Sequence, residues 1–149
     1  MSTKQLQEKF GAAGLKGGLA EEWLYEKLLN IYEVTDCRED FGYQIDVIDF
    51  GIKKDTWART YFLDCKGNLK DTSFYVEYNK NNEPGWLWKS KSDRIYHVDV
   101  DNNKALWYSL PEMRRVMSQT NCCIGPSHGG LCRVDANDKM LKDVIHWMW

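Results

Sequence analysis

The chain of 149 residues contains no uninterrupted apolar stretch approaching the roughly 18 residues that a membrane-spanning helix requires. Residues 1–5 are polar and include no apolar segment of the kind found in a signal peptide. We therefore expect no membrane partner and a cytoplasmic location, in which the five cysteines stay reduced.

The sequence also lacks a linker, an internal repeat and a low-complexity tract, so one domain spanning residues 1–149 is expected. A chain of this length is able to bury a sizeable core. It is rich in aromatic residues, with 7 Trp, 8 Tyr and 5 Phe, which suits a packed domain of helices and strands.

A strong basic excess is missing too, because the net charge is −2 and the isoelectric point is near 5.9. Nucleic-acid-binding domains are usually basic, so this balance argues against such a partner. The charge is uneven, however: residues 1–65 are acidic overall and residues 66–115 are basic. Acidic metal ligands lower the charge of a metal-free protein, and a local groove is still able to be basic.

Apolar periodicity and turn residues predict an α+β fold with a central mixed sheet flanked by helices. The first three strands are expected to form an antiparallel meander. The predicted helices are 16–32, 111–117 and a C-terminal helix from about 137, and the predicted strands are 43–52, 59–66, 73–78, 94–100, 104–109 and 131–134.

The predicted strand at 59–66 carries an acid and a base on one face. Side chains two residues apart in a strand point the same way, so Asp64 and Lys66 project together, away from the apolar face. Asp46, in the preceding predicted strand, supplies a second carboxylate. Two carboxylates suit a hard cation such as Mg²⁺. Two strands with charged, solvent-facing sides would show the same residues.

The spacing Asp46-(x17)-Asp64-x-Lys66 resembles the active-site signature of the PD-(D/E)XK nuclease superfamily. The resemblance implies a restriction-endonuclease-like core in which Asp46 and Asp64 hold Mg²⁺, with Mn²⁺ able to substitute. It implies that Lys66 activates or orients the attacking water. Divalent cations generate hydroxide and neutralise transition-state charge in such hydrolysis, and an ammonium group stabilises the same charge. The chain departs from the pattern with Ile45 in place of proline and with Asp64 where glutamate is frequent.

The segment K-G-G-L-A-E at residues 16–21 is similar to the opening of archaeal Holliday-junction resolvases of the same superfamily. There a glutamate of the first helix completes the metal site, which implies that role for Glu21, with Glu22 as the alternative. Glu21 lies three residues before Leu24 and seven before Leu28, so it shares their inward face. An acidic first turn favoured by the helix dipole is the structural alternative.

The segment at residues 85–93 is similar to phage-associated members of the superfamily. Lys89, Lys91 and Arg94 are interleaved with tryptophans and are expected to grip a phosphate backbone. The indole of Trp86 is expected to stack on a base or sugar. Tryptophans that cover the sheet edge and lysines that are merely solvated are the structural alternative.

Two weaker metal candidates remain. Glu77 is an acid on an otherwise aromatic strand and is a further candidate for a place near the metal. Cys122, Cys123, His128 and Cys132 are the residue types that bind zinc, but their spacing lacks the C-x2-C pair of strong zinc motifs. Buried thiols in a glycine-rich loop are the alternative.

The resemblance implies a small Mg²⁺-dependent DNA endonuclease, structure-selective or of low sequence specificity, acting on duplex or branched DNA. Cutting two strands with one site per chain favours a homodimer. A phage-encoded member would act in the host cytoplasm. A non-catalytic nucleic-acid-binding or interaction module on the same fold is one alternative, and an RNase or repair nuclease is another.

Overall fold

The computed structural model describes residues 17–120, 123–124 and 129–149. Helix α1 occupies residues 17–29 and buries Ala20, Leu24 and Leu28, which recur every four residues and so form one apolar stripe. The predicted first helix is confirmed over this range. Three further helices are α2 (Phe41–Ile45), α3 (Trp86–Lys89) and α4 (Leu110–Gln119). No helix in the described ranges has the length and apolar character needed to cross a membrane.

Strands form three sheets. In the described residues they are β1 (Glu33–Asp36), β2 (Phe50–Lys53), β3 (Tyr61–Lys66), β4 (Ser73–Glu77), β5 (Asn79–Lys80), β6 (Glu83–Pro84), β7 (Arg94–Asp99), β8 (Lys104–Ser109), β9 (Leu131–Asp135) and β10 (His146–Trp147). The central sheet has the order β1-β2-β3-β7-β8-β10, and only its β3–β7 pair is parallel. The predicted α+β fold with a mixed central sheet and flanking helices is therefore confirmed.

Each face of the central sheet carries its own apolar cluster. Helix α1 packs on one face, over Leu63 and Cys65 of β3 and the side chains of Tyr96 and Val98 on β7. Helix α4 and the β4–β9 pair cover the other face, where Ile95 is buried. Alternation along β3 and β7 decides which face each side chain joins.

The predicted meander is wrong at its third strand. β4 lies outside the central sheet and pairs with β9, while β7 takes the place beside β3. Phe74 and Val76 on β4 are fully buried and Tyr75 between them is exposed. A strand with one apolar face is stabilised by covering an apolar surface, which the second face of the sheet provides.

The predicted strand at 43–52 is wrong in its first half, where α2 forms instead. Asp40 precedes this helix, and its side chain accepts a hydrogen bond from the backbone N–H of Tyr43 at 3.2 Å. Such a cap stabilises a helical first turn and here outweighs the β propensity of the following residues. The strand begins only at Phe50.

The predicted C-terminal helix from 137 is also wrong. Asp138 caps a single 3₁₀ turn, Lys139–Leu141, and the chain then extends into β10. β10 pairs with β8, and the N–H of Met148 donates to the carbonyl of Ala105 at 2.9 Å. Pairing the edge of β8 satisfies backbone groups that a separate helix would leave open.

Candidate active site at the end of strand β3

Asp64 and Lys66 lie on one face of β3, as the alternation predicts. The Asp64 side chain is 5% exposed, and the Lys66 ammonium lies 2.8 Å from its Oδ2. The ammonium is the charged partner of this buried oxygen, and no backbone N–H of the described residues donates to it. A carboxylate buried with a single charged partner is costly to keep charged.

Asp49 is the second carboxylate of the cluster. The next residue, Phe50, pairs with Leu63, so the register of β2 and β3 places Asp49 across from Asp64. The N–H of Asp49 donates to the carbonyl of Leu63 at 2.9 Å, and its Oδ2 accepts from the N–H of Cys65 at 2.9 Å. These backbone contacts hold both aspartates at the same place on the sheet.

Asp46 does not join this cluster. It is the C-cap of α2, and its carboxylate lies 3.4 Å from the ammonium of Lys91. The prediction that Asp46 lies on a strand beside β3 is therefore wrong, because the helix turns it away before the strand begins. The sequence contains a signal for Asp49, because this acid stands between the apolar residues Ile48 and Phe50. In the structure all three residues are buried.

Glu21, on α1, faces the cluster, whereas Glu22 does not. Burial and the nearby Asp49 carboxylate raise the pKa of Glu21 to about 7, and the charges of Arg38 and Lys66 act in the opposite direction. Glu22 is exposed and forms an ion pair with Arg38 at 2.6 Å. The choice between the two glutamates therefore favours Glu21, which is the one close enough to feel Asp49 and Lys66.

The electrostatics of the aspartate and the lysine follow from burial. Burial raises the pKa of Asp64 well above its usual value, and the neighbouring Asp49 adds to the effect, while Lys66 opposes it. Burial alone would lower the pKa of Lys66, but the carboxylates of Asp64 and Asp49 outweigh this and raise it. Lys66 is therefore a protonated ammonium at neutral pH, held beside acids that burial destabilises in their charged form.

Trp86 packs against the ammonium group of Lys66. Its ring centroid lies 5.1 Å from Nζ of Lys66, within the range of a cation–π contact, and the residue is only 8% exposed. Trp86 also lines the groove beside Lys66, so the predicted stacking on a base or sugar stays a prediction for the small part of the residue that is exposed. The backbone N–H of Trp86 donates to the Glu77 carboxylate at 3.2 Å.

His97 is buried next to this site. Its Nδ1 lies 2.6 Å from the side-chain oxygen of Asn68, and its Nε2 lies 2.8 Å from the hydroxyl of Tyr108. Burial, together with the charge of Lys66, lowers the pKa of His97 well below its usual value. His97 is accordingly a neutral structural group.

The backbone just before Asp49 is strained. Val47 has φ of 57°, in the left-handed region that β-branched residues rarely adopt. Its carbonyl accepts hydrogen bonds from the hydroxyls of Ser90 at 3.1 Å and Ser92 at 2.8 Å. The loop between α3 and β7 therefore holds the chain in this conformation, and strain of this kind is frequent near functional sites.

A groove of about 540 Å³ opens beside Lys66. Lys89 lines it, as a substrate contact would require. Lys91 is exposed and pairs with Asp46 instead. Arg94 lies on the opposite face of the sheet, where its guanidinium is 3.9 Å from the ring centroid of Trp107, so alternation along β7 excludes it from this groove.

Two of the four weaker zinc candidates are bonded to each other. Cys123 and Cys132 are joined in a disulfide, so neither sulfur is a free thiolate ligand, and the expectation of reduced cysteines is wrong for this pair. Cys122 and His128 lie outside the described residues. Cys37 and Cys65 are buried free thiols.

The acidic cluster fits a divalent cation in part. Among the described residues no group of three or more Asp, Glu, His or Cys side chains is gathered closely enough to form a ready-made cage. Asp49 and Asp64 nevertheless present oxygen ligands side by side, and Oδ2 of Asp64 has the Lys66 ammonium beside it but receives no backbone N–H of the described residues. Mg²⁺ is commonly held by one or two carboxylates, with water and substrate phosphate completing its shell.

No family model and no curated protein matches this sequence. A solved structure described as that of a bacterial homing endonuclease, I-Ssp6803I, is similar in fold, with a TM-score of 0.52. The similarity covers 87% of this chain and 82% of that one, and the two sequences are 14% identical. It shows a shared fold.

Proposed function

We propose that this protein is a divalent-cation-dependent nuclease that hydrolyses phosphodiester bonds in DNA. The observation that carries the proposal is the placement of Asp49 and Asp64 side by side, with the Lys66 ammonium 2.8 Å from Asp64. Glu21 approaches the same cluster from α1. The resemblance of D-x-K to the PD-(D/E)XK signature supports the proposal, with Asp49 now in the position first considered for Asp46.

The residues divide the work. Asp49 and Asp64 would hold Mg²⁺, or Mn²⁺ in its place, and Glu21 would contribute through a water or directly. The cation, when bound, supplies a nucleophilic hydroxide and neutralises charge on the scissile phosphate. Lys66 orients the attacking water and stabilises the negative charge that develops on the phosphate oxygens. Trp86 and Asp64 hold its ammonium in place for that role.

DNA is proposed as the substrate because the similar solved structure is described as a homing endonuclease. One site per chain and two strands to cut favour a homodimer. RNA, and junction or repair intermediates, are alternatives that the same chemistry would serve. A non-catalytic binding module is a second candidate, favoured by the absence of a three-ligand cluster among the described residues and by the net charge of −2.

The experiment is a cleavage panel on duplex, single-stranded and branched DNA and on RNA, each with EDTA, Mg²⁺ or Mn²⁺. Asp49→Asn and Asp64→Asn should abolish cleavage. Asp46→Asn is the matched control, because Asp46 is an acid three residues from Asp49 that pairs with Lys91 outside the cluster. It should cut at close to the wild-type rate.

Two results would contradict the proposal. Loss of cleavage in Asp46→Asn with activity retained in Asp49→Asn would return the metal site to the residue first predicted. If wild-type protein binds DNA but cuts no substrate with either cation, the binding module is the better account. Calorimetric titration with Mn²⁺ checks the metal separately, since the Asp49→Asn/Asp64→Asn double variant should bind it far more weakly.

A further inference from the structure

The groove beside Lys66 has a wall with no role in the proposed chemistry. One side of it is formed by the hairpin of β5 and β6, through Lys80, Asn81 and Glu83, and another side by Lys89. All residues of the two hairpin strands are exposed. A structure that projects beside a candidate site and is not packed into the core is suited to contact a ligand.

The tip of the hairpin is a tight turn with open side chains. Asn81 and Asn82 have φ of 52° and 65°, the positive values that a two-residue type I′ turn requires and that asparagine tolerates. Neither the Asn81 nor the Asn82 side-chain amide makes a hydrogen bond within the described residues. The donors and acceptors at the tip are therefore available to a partner.

The base of the hairpin is held tightly. The N–H of Gly85 donates to the carbonyl of Tyr78 at 2.8 Å, and the N–H of Tyr78 donates to the carbonyl of Gly130 at 2.8 Å. A Cβ added at Gly85 would overlap the carbonyl of Glu77, and one added at Gly130 would overlap that of Asn79. The close backbone approach explains both glycines and gives the hairpin a fixed direction.

Charge in the groove favours an anion. Lys80 and Lys89 have no ion-pair partner within 4 Å in the described part of the chain, whereas Lys66 is paired with Asp64. Glu83 lies across the hairpin from Lys80, and Glu77 also lines the groove, so two carboxylates oppose its three ammonium groups. Two unpaired ammonium groups in the groove present positive charge to a phosphate backbone passing Lys66.

We infer that the β5–β6 hairpin enters the major groove of duplex DNA, with Lys80 and Lys89 on backbone phosphates and Asn81 on base edges. This rests on the proposed function. The major groove of B-form DNA admits a two-stranded ribbon, and asparagine is suited to hydrogen-bond adenine there. The major groove of an RNA duplex is too deep and narrow for side chains to read, so a hairpin of this kind favours DNA over double-stranded RNA.

The test measures binding of a labelled DNA duplex in EDTA over a range of salt concentrations, where no cleavage occurs. Lys80→Ala and Lys89→Ala should each lower the slope of log K against log salt by about one, because each removes a phosphate contact. Asn81→Ala should weaken binding with an unchanged slope. Glu83→Gln should strengthen binding, because it removes the negative charge beside Lys80.

Lys53→Ala is the matched control. Lys53 is an exposed lysine at the end of β2 and lines a different pocket, near the opposite end of β3. The slope of log K against log salt for Lys53→Ala should equal that of the wild type. Melting curves of each variant confirm that these exposed substitutions leave the fold intact.

The inference is overturned if Lys80→Ala and Lys89→Ala keep the wild-type salt slope. It is also overturned if these substitutions weaken binding to an RNA duplex as much as binding to a DNA duplex. Because binding is measured without metal, the outcome is independent of cleavage. A wild-type protein that never cuts, but whose slope falls in these variants, would defeat the proposed function and leave the hairpin contact standing.

Discussion

The two ends of strand β3 handle charge in opposite ways. At its start, Asp93 receives two hydrogen bonds from the Arg59 guanidinium, at 2.9 and 3.0 Å, and one from the N–H of Phe62 at 2.8 Å. At its end, Asp64 is more deeply buried, and one of its oxygens has the Lys66 ammonium beside it but no backbone N–H donor in the described residues. Asp93 lies beside β3 and Asp64 lies within it, but only Asp93 has both guanidinium and backbone hydrogen-bond donors on its carboxylate.

The pKa values express this difference. Burial alone would raise the pKa of Asp93, but the Arg59 hydrogen bonds and the Phe62 amide outweigh it, and the pKa is lowered. For Asp64 burial prevails and the pKa is raised well above its usual value. A charge that its partners stabilise serves the fold, and a buried charge left partly unsatisfied is a candidate for function. The comparison leads us to place the chemistry at the end of β3.

The largest expected effect is on the cleavage rate, which a substitution at the end of β3 should lower and one at its start should not. Lys66→Ala should reduce the cleavage rate by about 10²–10³-fold, because a charged group positioned at the developing negative charge is lost. Mn²⁺ affinity should change little, since an ammonium is not a ligand. Arg59→Ala, at the other end of β3, is the control and should keep its activity. Equal losses in the two variants, measured in single-turnover assays, would remove the distinction between the ends.

The second effect concerns stability without metal. Asp64→Asn should raise the melting temperature in EDTA at neutral pH, because it removes a buried carboxylate that burial destabilises, while Asp49 remains to stabilise the Lys66 ammonium. Asp93→Asn should lower it by the equivalent of about 1–3 kcal/mol, because the Arg59 guanidinium loses its charged partner. The opposite signs, read from melting curves, sharpen the comparison. A fall of similar size in both variants would mean that Asp64 is as structural as Asp93.

A third effect depends on pH and on Glu21. Its pKa is about 7 in the folded protein against 4.5 for the free side chain. The unfolded chain therefore releases its proton first, so this group lowers the free energy of unfolding progressively as pH rises from 4.5 to 7. Glu21→Gln should match the wild type below this window and exceed it by roughly 2 kcal/mol above it in EDTA, allowing for partial exposure.

Chemical denaturation at a series of pH values checks this prediction. Glu22→Gln is the control, because Glu22 is exposed and paired with Arg38 on the outside of the helix. It should show no such gain at high pH. An equal gain in the two variants would show that the pH dependence does not come from the burial of Glu21.

How much of the site the sequence predicts depends on how local each contribution is. Asp64 and Lys66 follow from alternation within one strand, and the structure places them on the same face. Asp49 depends on where β2 begins, and that is decided by the Asp40 cap that turns the preceding residues into α2. The capping hydrogen bond of a single residue is therefore the reason that the acid beside Asp64 is Asp49 and not the expected Asp46.

The fold shows the same division. The mixed sheet and first helix follow from periodicity, because each buries an apolar face that is visible in a short window. The departure of β4 to pair with β9 depends on a partner more than fifty residues away, which a local pattern does not contain. The hairpin of β5 and β6 likewise lies outside the predicted strands, although its two asparagines are typical of a tight turn.

The smallest expected effect tests whether strain at Val47 holds Asp49 in position. Val47→Gly should raise the free energy of unfolding by about 1 kcal/mol, because glycine adopts a φ of 57° without the steric cost of a β-branched side chain. Glycine also gains freedom in the unfolded chain, which offsets part of this. Val34→Gly, in regular strand β1, is the control and should be destabilising. If Val47→Gly also lowered stability, packing of the valine side chain would outweigh the strain, and the loop could not be described as a strained support for Asp49.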